Sequence, residues 1–234
     1  MRRIGMLRVG IAMLQGARHE HAEAIRSAAS QLETDVEIVA LRVPSDLEYG
    51  IDALILPGGE STTMRIASKH FALLEALFSY IDSHPQLPIL GTCAGAILLA
   101  TPPEPFRRFI DVNITRNSWG RQRESFEAVV DLTLPGATSM SSPSAYPQRD
   151  GSHLPLMMEM QAAPIVSEGF PGVFIRAPRF GTVGSSCNVI ATFNNEAVGV
   201  QQGNILALTF HPELTKDRRF HAWLLSIANG MVNE

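Results

Sequence analysis

Cys93, one of only two cysteines in the chain, stands in GTCAG, between the apolar run LPIL and the segment AGAILLA. Small neighbours permit a tight strand-to-helix turn that pushes a thiol out of a sheet. The helix behind it offers N–H groups and a positive dipole end to a thiolate and to a developing oxyanion. Cysteines in general are more often buried and inert, but G-x-C-x-G after an apolar strand favours a reactive one. Such a thiol needs a base, and the base needs an orienting group. His211 and Glu213 offer both in HPE, close after the apolar run NILALTF. In an extended segment residues two apart face the same side, so imidazole and carboxylate can both point toward Cys93. The implied chemistry is attack by a thiolate on an acyl carbon, with His211 moving the protons.

The order of these residues is informative. An α/β-hydrolase carries its nucleophile first, then the acid, then the histidine, whereas here histidine precedes glutamate, which disfavours an esterase of that type. PGGES adds two glycines at the end of another apolar run, where a backbone N–H can turn toward an oxyanion. Neither GxxxxGK[ST] nor GxGxxG is present, so a phosphate cradle is the weaker reading. Glu60, Ser61, Thr62 and Thr63 offer polar groups to a substrate and a cap to the next helix. His19 and His21 resemble a metal pair only in spacing and read as a solvated or partner-facing helix start. Cys187, in a strand-like run, reads as structural.

The elements that must position these groups follow from periodicity. Strands are expected at Val9–Leu14, Val36–Leu41, Ala53–Leu56 and LPIL, each almost wholly apolar, as in a parallel sheet covered on both faces. Helical spacing runs over Glu20–Leu32 and Thr62–Ile81, and again from AGAILLA. This alternation argues for βαβ units, whose ligands gather beyond the carboxyl ends of the strands, and Gln15-Gly16, PGGES and GTCAG all fall there. A further strand is expected at Val129–Leu134. The stretch to Pro171, rich in Ser, Pro, Ala and Met, reads as a loop-like insertion, about 136–171, in a single domain spanning 1–234. Strands return as GVFIRAP, NVIATFNN, EAVGVQQ and NILALTF, partly antiparallel, and Asp217–Ala228 closes the chain as an amphipathic helix.

Composition bounds the remaining classes. With 234 residues and 45% apolar content the chain can bury a sizeable core. A net charge of −4 gives no footprint for nucleic acid or an anionic membrane. Two cysteines make no disulfide framework, and Arg8 breaks the apolar run that a secretory leader would need. No run is long enough to span a bilayer. A cytoplasmic protein with a small-molecule or protein partner is expected.

GTCAG, HPE and PGGESTT together resemble the class I (triad) glutamine amidotransferases. More narrowly, LQGA, LILPGGESTTMR, GTCAG, RNSWGRQRESFEA, GVFIRAP and FHPELT, in this order from about Val9 to about Phe220, resemble the glutaminase subunit of pyridoxal 5′-phosphate synthase. The resemblance implies an α/β fold, a three-layer sandwich around a mostly parallel sheet with added antiparallel strands. It implies hydrolysis of L-glutamine to glutamate and ammonia, without cofactor or metal, the ammonia passing to a separate synthase subunit. By position, Cys93 is then the nucleophile, with His211 and Glu213 completing the triad. Gly59, Glu60, Ser61, Arg116, Ile175 and Arg176 bind glutamine, and Gly59 and Ala94 form the oxyanion hole. Gln15 lies in the loop facing the synthase. Members of the family commonly need that partner to organise the oxyanion loop. Two other readings were weighed: a stand-alone cysteine hydrolase or peptidase of the DJ-1-like superfamily, and an inactive regulatory subunit. The intact triad disfavours both.

Overall fold

An apolar strand with no polar face is stable only when helices cover both its sides. The computed structural model, which describes residues 6–116, 125–135 and 169–230, builds the first half of the chain in this way. In order come β1 (Leu7–Ala12), α1 (Arg18–Gln31), β2 (Val36–Leu41), β3 (Ala53–Leu56), α2 (Ser61–Ser68), α3 (Leu73–Ser83), β4 (Ile89–Thr92) and α4 (Ala94–Ala100). The second half supplies β5 (Val112–Thr115), β6 (Phe126–Leu132), β7 (Gly169–Phe174), β8 (Arg179–Val183), β9 (Asn188–Phe193), β10 (Glu196–Gln202), β11 (Ile205–Leu208) and α5 (Arg219–Ala228). Most of the insertion expected at 136–171 lies outside the described residues, but Gly169–Pro171 already belong to β7, paired with Val129–Asp131 of β6.

One nine-stranded sheet runs β2-β1-β3-β4-β11-β10-β9-β6-β7, and β5 and β8 form a separate pair. The strands from β2 to β11 are mutually parallel, and those beyond alternate in direction. This is the expected α/β architecture. The period-2 alternation sorts the core into two layers: Ala53, Ile55, Leu206 and Leu208 pack with Ile25, Phe220 and Leu224 on one face. On the other, Leu54, Leu56, Ile89 and Ala207 pack with Met64, Leu77, Phe78 and Leu98. Among the described residues no helix is long and apolar enough to cross a membrane.

Several boundaries differ from the periodic pattern, each for a local reason. β1 begins two residues before Val9, because Arg8 remains at an exposed position and pairs with Glu37 across to β2 at 3.2 Å. The helical run from Thr62 breaks into α2 and α3: Ala72 adopts φ 52°, and the Ser68 hydroxyl accepts the Leu74 N–H at 2.7 Å, ending one helix and capping the next. GVFIRAP stops being a strand at Phe174, since Arg176 turns into the left-handed region at φ 45°. β5 and β8 escape the sequence pattern, being short and largely polar. The closing helix begins at Arg219 rather than Asp217 and is buried on nearly every side.

The nucleophile region depends on close packing of β3 against α4. A Cβ added at Gly95 would lie 1.9 Å from the Leu56 carbonyl oxygen, a backbone atom that cannot swing away. We expect Gly95→Ala to destabilise the protein by roughly 1–3 kcal/mol through overpacking, read as a lowered urea midpoint.

Candidate active site

β3, β4 and β11 are adjacent, with Leu56 paired to Gly91 and Thr92 to Leu208. Their carboxyl ends are therefore nearly flush, and the three segments leaving them meet on one rim. Cys93 leaves β4 with φ 48° and ψ −102°, a strained conformation for a residue with a side chain, as the turn that presents a nucleophile requires. Its own N–H is held by the Leu208 carbonyl at 2.8 Å, so nucleophile and histidine-bearing strand are joined through the backbone. The thiol is buried, 3.9 Å from the Ile175 carbonyl oxygen.

His211 and Glu213 meet by a different route from the one expected. β11 ends at Leu208, and Pro212–Leu214 form a 3-10 turn that folds the carboxylate back onto the ring. His211 Nδ1 lies 2.7 Å from Glu213 Oε1. An ionised carboxylate only accepts, so Nδ1 carries the proton. The other ring nitrogen is left for the Cys93 thiol, which is close enough to act electrostatically on the imidazole. Burial acts to lower the His211 imidazole, but Glu213 and Cys93 override it and raise it to about 10. Burial pushes the Glu213 carboxyl up, and His21 and His211 hold it below the ordinary value nonetheless. The result is a buried imidazole–carboxylate pair whose charged forms stabilise each other.

The PGGES loop passes directly under this ring: a Cβ at Gly58 would lie 2.2 Å from His211 Cε1, so only glycine fits. Glu60 caps α2, accepting from the N–H groups of Thr62 and Thr63 at 3.0 and 2.6 Å. The Thr63 hydroxyl and these amides lower its carboxyl to about 2. Gln15 Oε1 accepts the Glu60 N–H at 2.9 Å, so the N-terminal loop is clipped to the glycine loop. Ser61, the first residue of α2, is buried behind it, whereas Gly59 is exposed. Ala94 opens α4, where its N–H belongs to the unpaired first turn. Arg116, at the exposed end of β5, donates to Thr62 Oγ1 at 2.8 Å and so reaches the same loop. Arg176 is exposed and follows Ile175, whose carbonyl faces the thiol. Asn117–Gln122 of RNSWGRQ lie outside the described residues.

One residue expected in solvent is not there. His21 is fully buried, with Nε2 3.0 Å from Thr92 Oγ1 and 3.3 Å from Glu213 Oε2. Its Nδ1 lies 3.0 Å from His221 Nε2 on α5. The helical period could have located it, since His21 precedes Ala24, Ile25 and Ala28 on the buried face of α1. Cys187 is half-buried, with Sγ 3.1 Å from Gln202 Oε1, in the turn before β9 rather than inside a strand.

A buried thiol and an imidazole–carboxylate pair leaving the ends of two adjacent parallel strands of an α/β sandwich are groups suited to acyl transfer. Residues 11–138 and 157–229 match the SNO glutamine amidotransferase family, and the chain belongs to that family. It is 40% identical, over 94% of its length and 98% of the relative's, to the pyridoxal 5′-phosphate synthase subunit PdxT of Thermococcus onnurineus. It is 38% identical to the PdxT of Geobacillus kaustophilus, over 94% of each chain. A crystal structure described as a glutamine amidotransferase superposes with a TM-score of 0.68 at 34% identity, over 94% of this chain and 98% of that one.

The raised His211 gives a pH dependence with a definite sign. Its proton is held more tightly in the folded protein than at the ordinary 6.5, so its contribution to stability is complete below 6.5 and is lost as pH rises through about 10. We expect thermal unfolding of wild type to drop between these values, and the drop to be largely absent in His211→Asn, followed by calorimetry across pH 6 to 10.5.

Proposed function

We propose that the chain is a single glutaminase unit that hydrolyses L-glutamine to L-glutamate and ammonia and hands the ammonia to the synthase subunit of pyridoxal 5′-phosphate synthase. The observation that carries this reading is the His211–Glu213 pair at 2.7 Å on the segment leaving β11, the strand whose Leu208 carbonyl holds the Cys93 N–H at 2.8 Å. Family membership supplies the substrate class.

The Cys93 thiolate attacks the side-chain amide carbon of glutamine, and the carbonyl π electrons move to oxygen. The N–H groups of Gly59 and Ala94 receive that oxyanion, helped by the dipole of α4. The His211 imidazolium gives its proton to the departing nitrogen, so ammonia leaves and a γ-glutamyl thioester remains. His211, now neutral, takes a proton from water as the water attacks the thioester, releasing glutamate and restoring the thiolate–imidazolium pair. Glu213 keeps the ring in the required tautomer throughout.

Arg116 and Arg176 are assigned to the substrate α-carboxylate, which their planar donors match bidentately. Glu60, ionised and exposed, faces the α-ammonium, while Ser61 and Ile175 shape the pocket. Gln15 presents the N-terminal loop to the synthase. Two cysteines without a disulfide fit a reducing cytoplasm.

Glutamate release from glutamine, measured on the chain mixed with its synthase subunit, tests the assignment. We expect Cys93→Ala to lower turnover by about 1,000-fold or more while the complex still forms. Arg116→Ala and Arg176→Ala should act mainly by raising KM. Undiminished turnover without the Cys93 thiol would remove the reading. We further expect the isolated chain to be slower than the complex; equal rates would show that the site is organised without a partner.

A further inference from the structure

The triad carboxylate has a second oxygen, and its surroundings are specific. Glu213 is fully buried. Oε1 is committed to His211, while Oε2 accepts no hydrogen bond of good geometry among the described residues. The nearest donor is His21 Nε2 at 3.3 Å, which also faces Thr92 Oγ1 at 3.0 Å. Beyond it, His21 Nδ1 meets His221 Nε2 at 3.0 Å. Four titratable side chains, His211, Glu213, His21 and His221, therefore form one file through the core.

His21 Nε2 hydrogen-bonds with Thr92 Oγ1 at 3.0 Å and stands 3.3 Å from Glu213 Oε2. A proton on Nε2 is the tautomer that suits an ionised carboxylate, which only accepts. In that tautomer His21 Nδ1 accepts and His221 donates from Nε2. His221 Nδ1, which has no hydrogen-bond partner among the described residues, is then a bare acceptor, less costly to bury than an unmet N–H. The groups facing His21 are Glu213 and His211 from the 3-10 turn, Arg218 and His221 from the chain entering and forming α5, Thr92 from β4, and Glu20 on its own helix. His221 faces His21 and Arg218. Burial lowers both histidines, consistent with two neutral rings.

We propose that His21 and His221 are positioning residues for the triad: His221 fixes the tautomer of His21, and His21 holds Glu213 Oε2 so that Oε1 stays on His211 Nδ1. Neither touches substrate. Their role rests on reading Cys93, His211 and Glu213 as the catalytic triad. Without the His21 N–H, the carboxylate keeps a buried, uncompensated oxygen and is free to rotate or to take up a proton, and either change weakens its hold on the imidazolium.

The test uses the full chain and two readouts. One is alkylation of Cys93 by iodoacetamide against pH, followed by peptide mass spectrometry so that Cys187 does not contribute. The other is glutamine hydrolysis in the presence of the synthase, resolved into kcat and KM. We expect His21→Leu to lower kcat about tenfold or more, the scale seen when a second-layer partner of a reactive group is removed, with KM unchanged. The acid limb of alkylation should move up by about one pH unit, the same tenfold expressed in proton affinity. His221→Leu should act in the same direction and less strongly. His21→Gln, whose amide reaches the Nε2 position, should recover most of the kcat, whereas His21→Asn, whose amide reaches only Nδ1, should not. That pair decides the matter if the leucine variant does not fold. Equal kcat and superimposable alkylation profiles for wild type and a folded His21→Leu overturn the positioning role, as does equal impairment of the Gln and Asn variants. His211→Asn is the control: if it leaves the Cys93 profile unchanged, the triad reading fails and this inference falls with it.

Discussion

Glu213 is a carboxylate with no access to water, and an unpaired charge in such a place is among the most costly things a fold can contain. It is tolerated because an imidazole stands on either side of it, His211 at 2.7 Å and His21 at 3.3 Å. Remove the charge and His211 loses the partner that raises its proton affinity; remove the imidazoles and the carboxylate protonates. The proton affinity of the imidazole and the stability of the fold thus draw on the same electrostatic arrangement, and the surrounding core must be rigid enough to keep three side chains from two elements in register.

That rigidity comes from the strand ends. Cys93 is bonded through its backbone N–H to Leu208 at 2.8 Å, and His211 donates its own backbone N–H to Val173 of β7 at 2.8 Å. Cys93, His211 and the segment leading to Ile175 and Arg176 are therefore fixed to one another before any side chain is considered. The glycine loop closes the arrangement from the β3 side, with Gly58 lying where any side chain would displace the imidazole. A 3-10 turn, rather than continued strand, gives Glu213 its direction: two residues after Leu208 the chain has already left the sheet, and Pro212 fixes the bend.

The sequence made much of this legible. The strands at Val36–Leu41 and Ala53–Leu56 are short and apolar but for Glu37, a pattern that admits few alternatives, and both occur with those bounds. GTCAG and HPE carry chemistry in residue types that packing does not explain, and the fold brings them together across more than a hundred positions. What the sequence hid was mostly polar and tertiary. β5 and β8 have too few apolar residues to announce themselves. The break between α2 and α3 depends on the Ser68 hydroxyl bonding Leu74, which no periodicity records. A histidine near a helix start suggests solvent, yet the spacing of His21 from Ala24 and Ile25 sets it on the buried face. His221, followed by Trp223, Leu224 and Leu225, gives no chemical signal in the sequence; only the fold brings it to His21.

The position of β11 has a consequence for the growing polypeptide. It is the last strand among the described residues, yet it inserts between β4 and β10 in the interior of the sheet, and it leads the chain to His211. Until that segment has left the ribosome, the Cys93 turn lacks the Leu208 carbonyl that holds its N–H. Partial products of synthesis, whatever helices they have already formed, carry an open seam beside β4, so closing the sheet and fixing the turn are one late event.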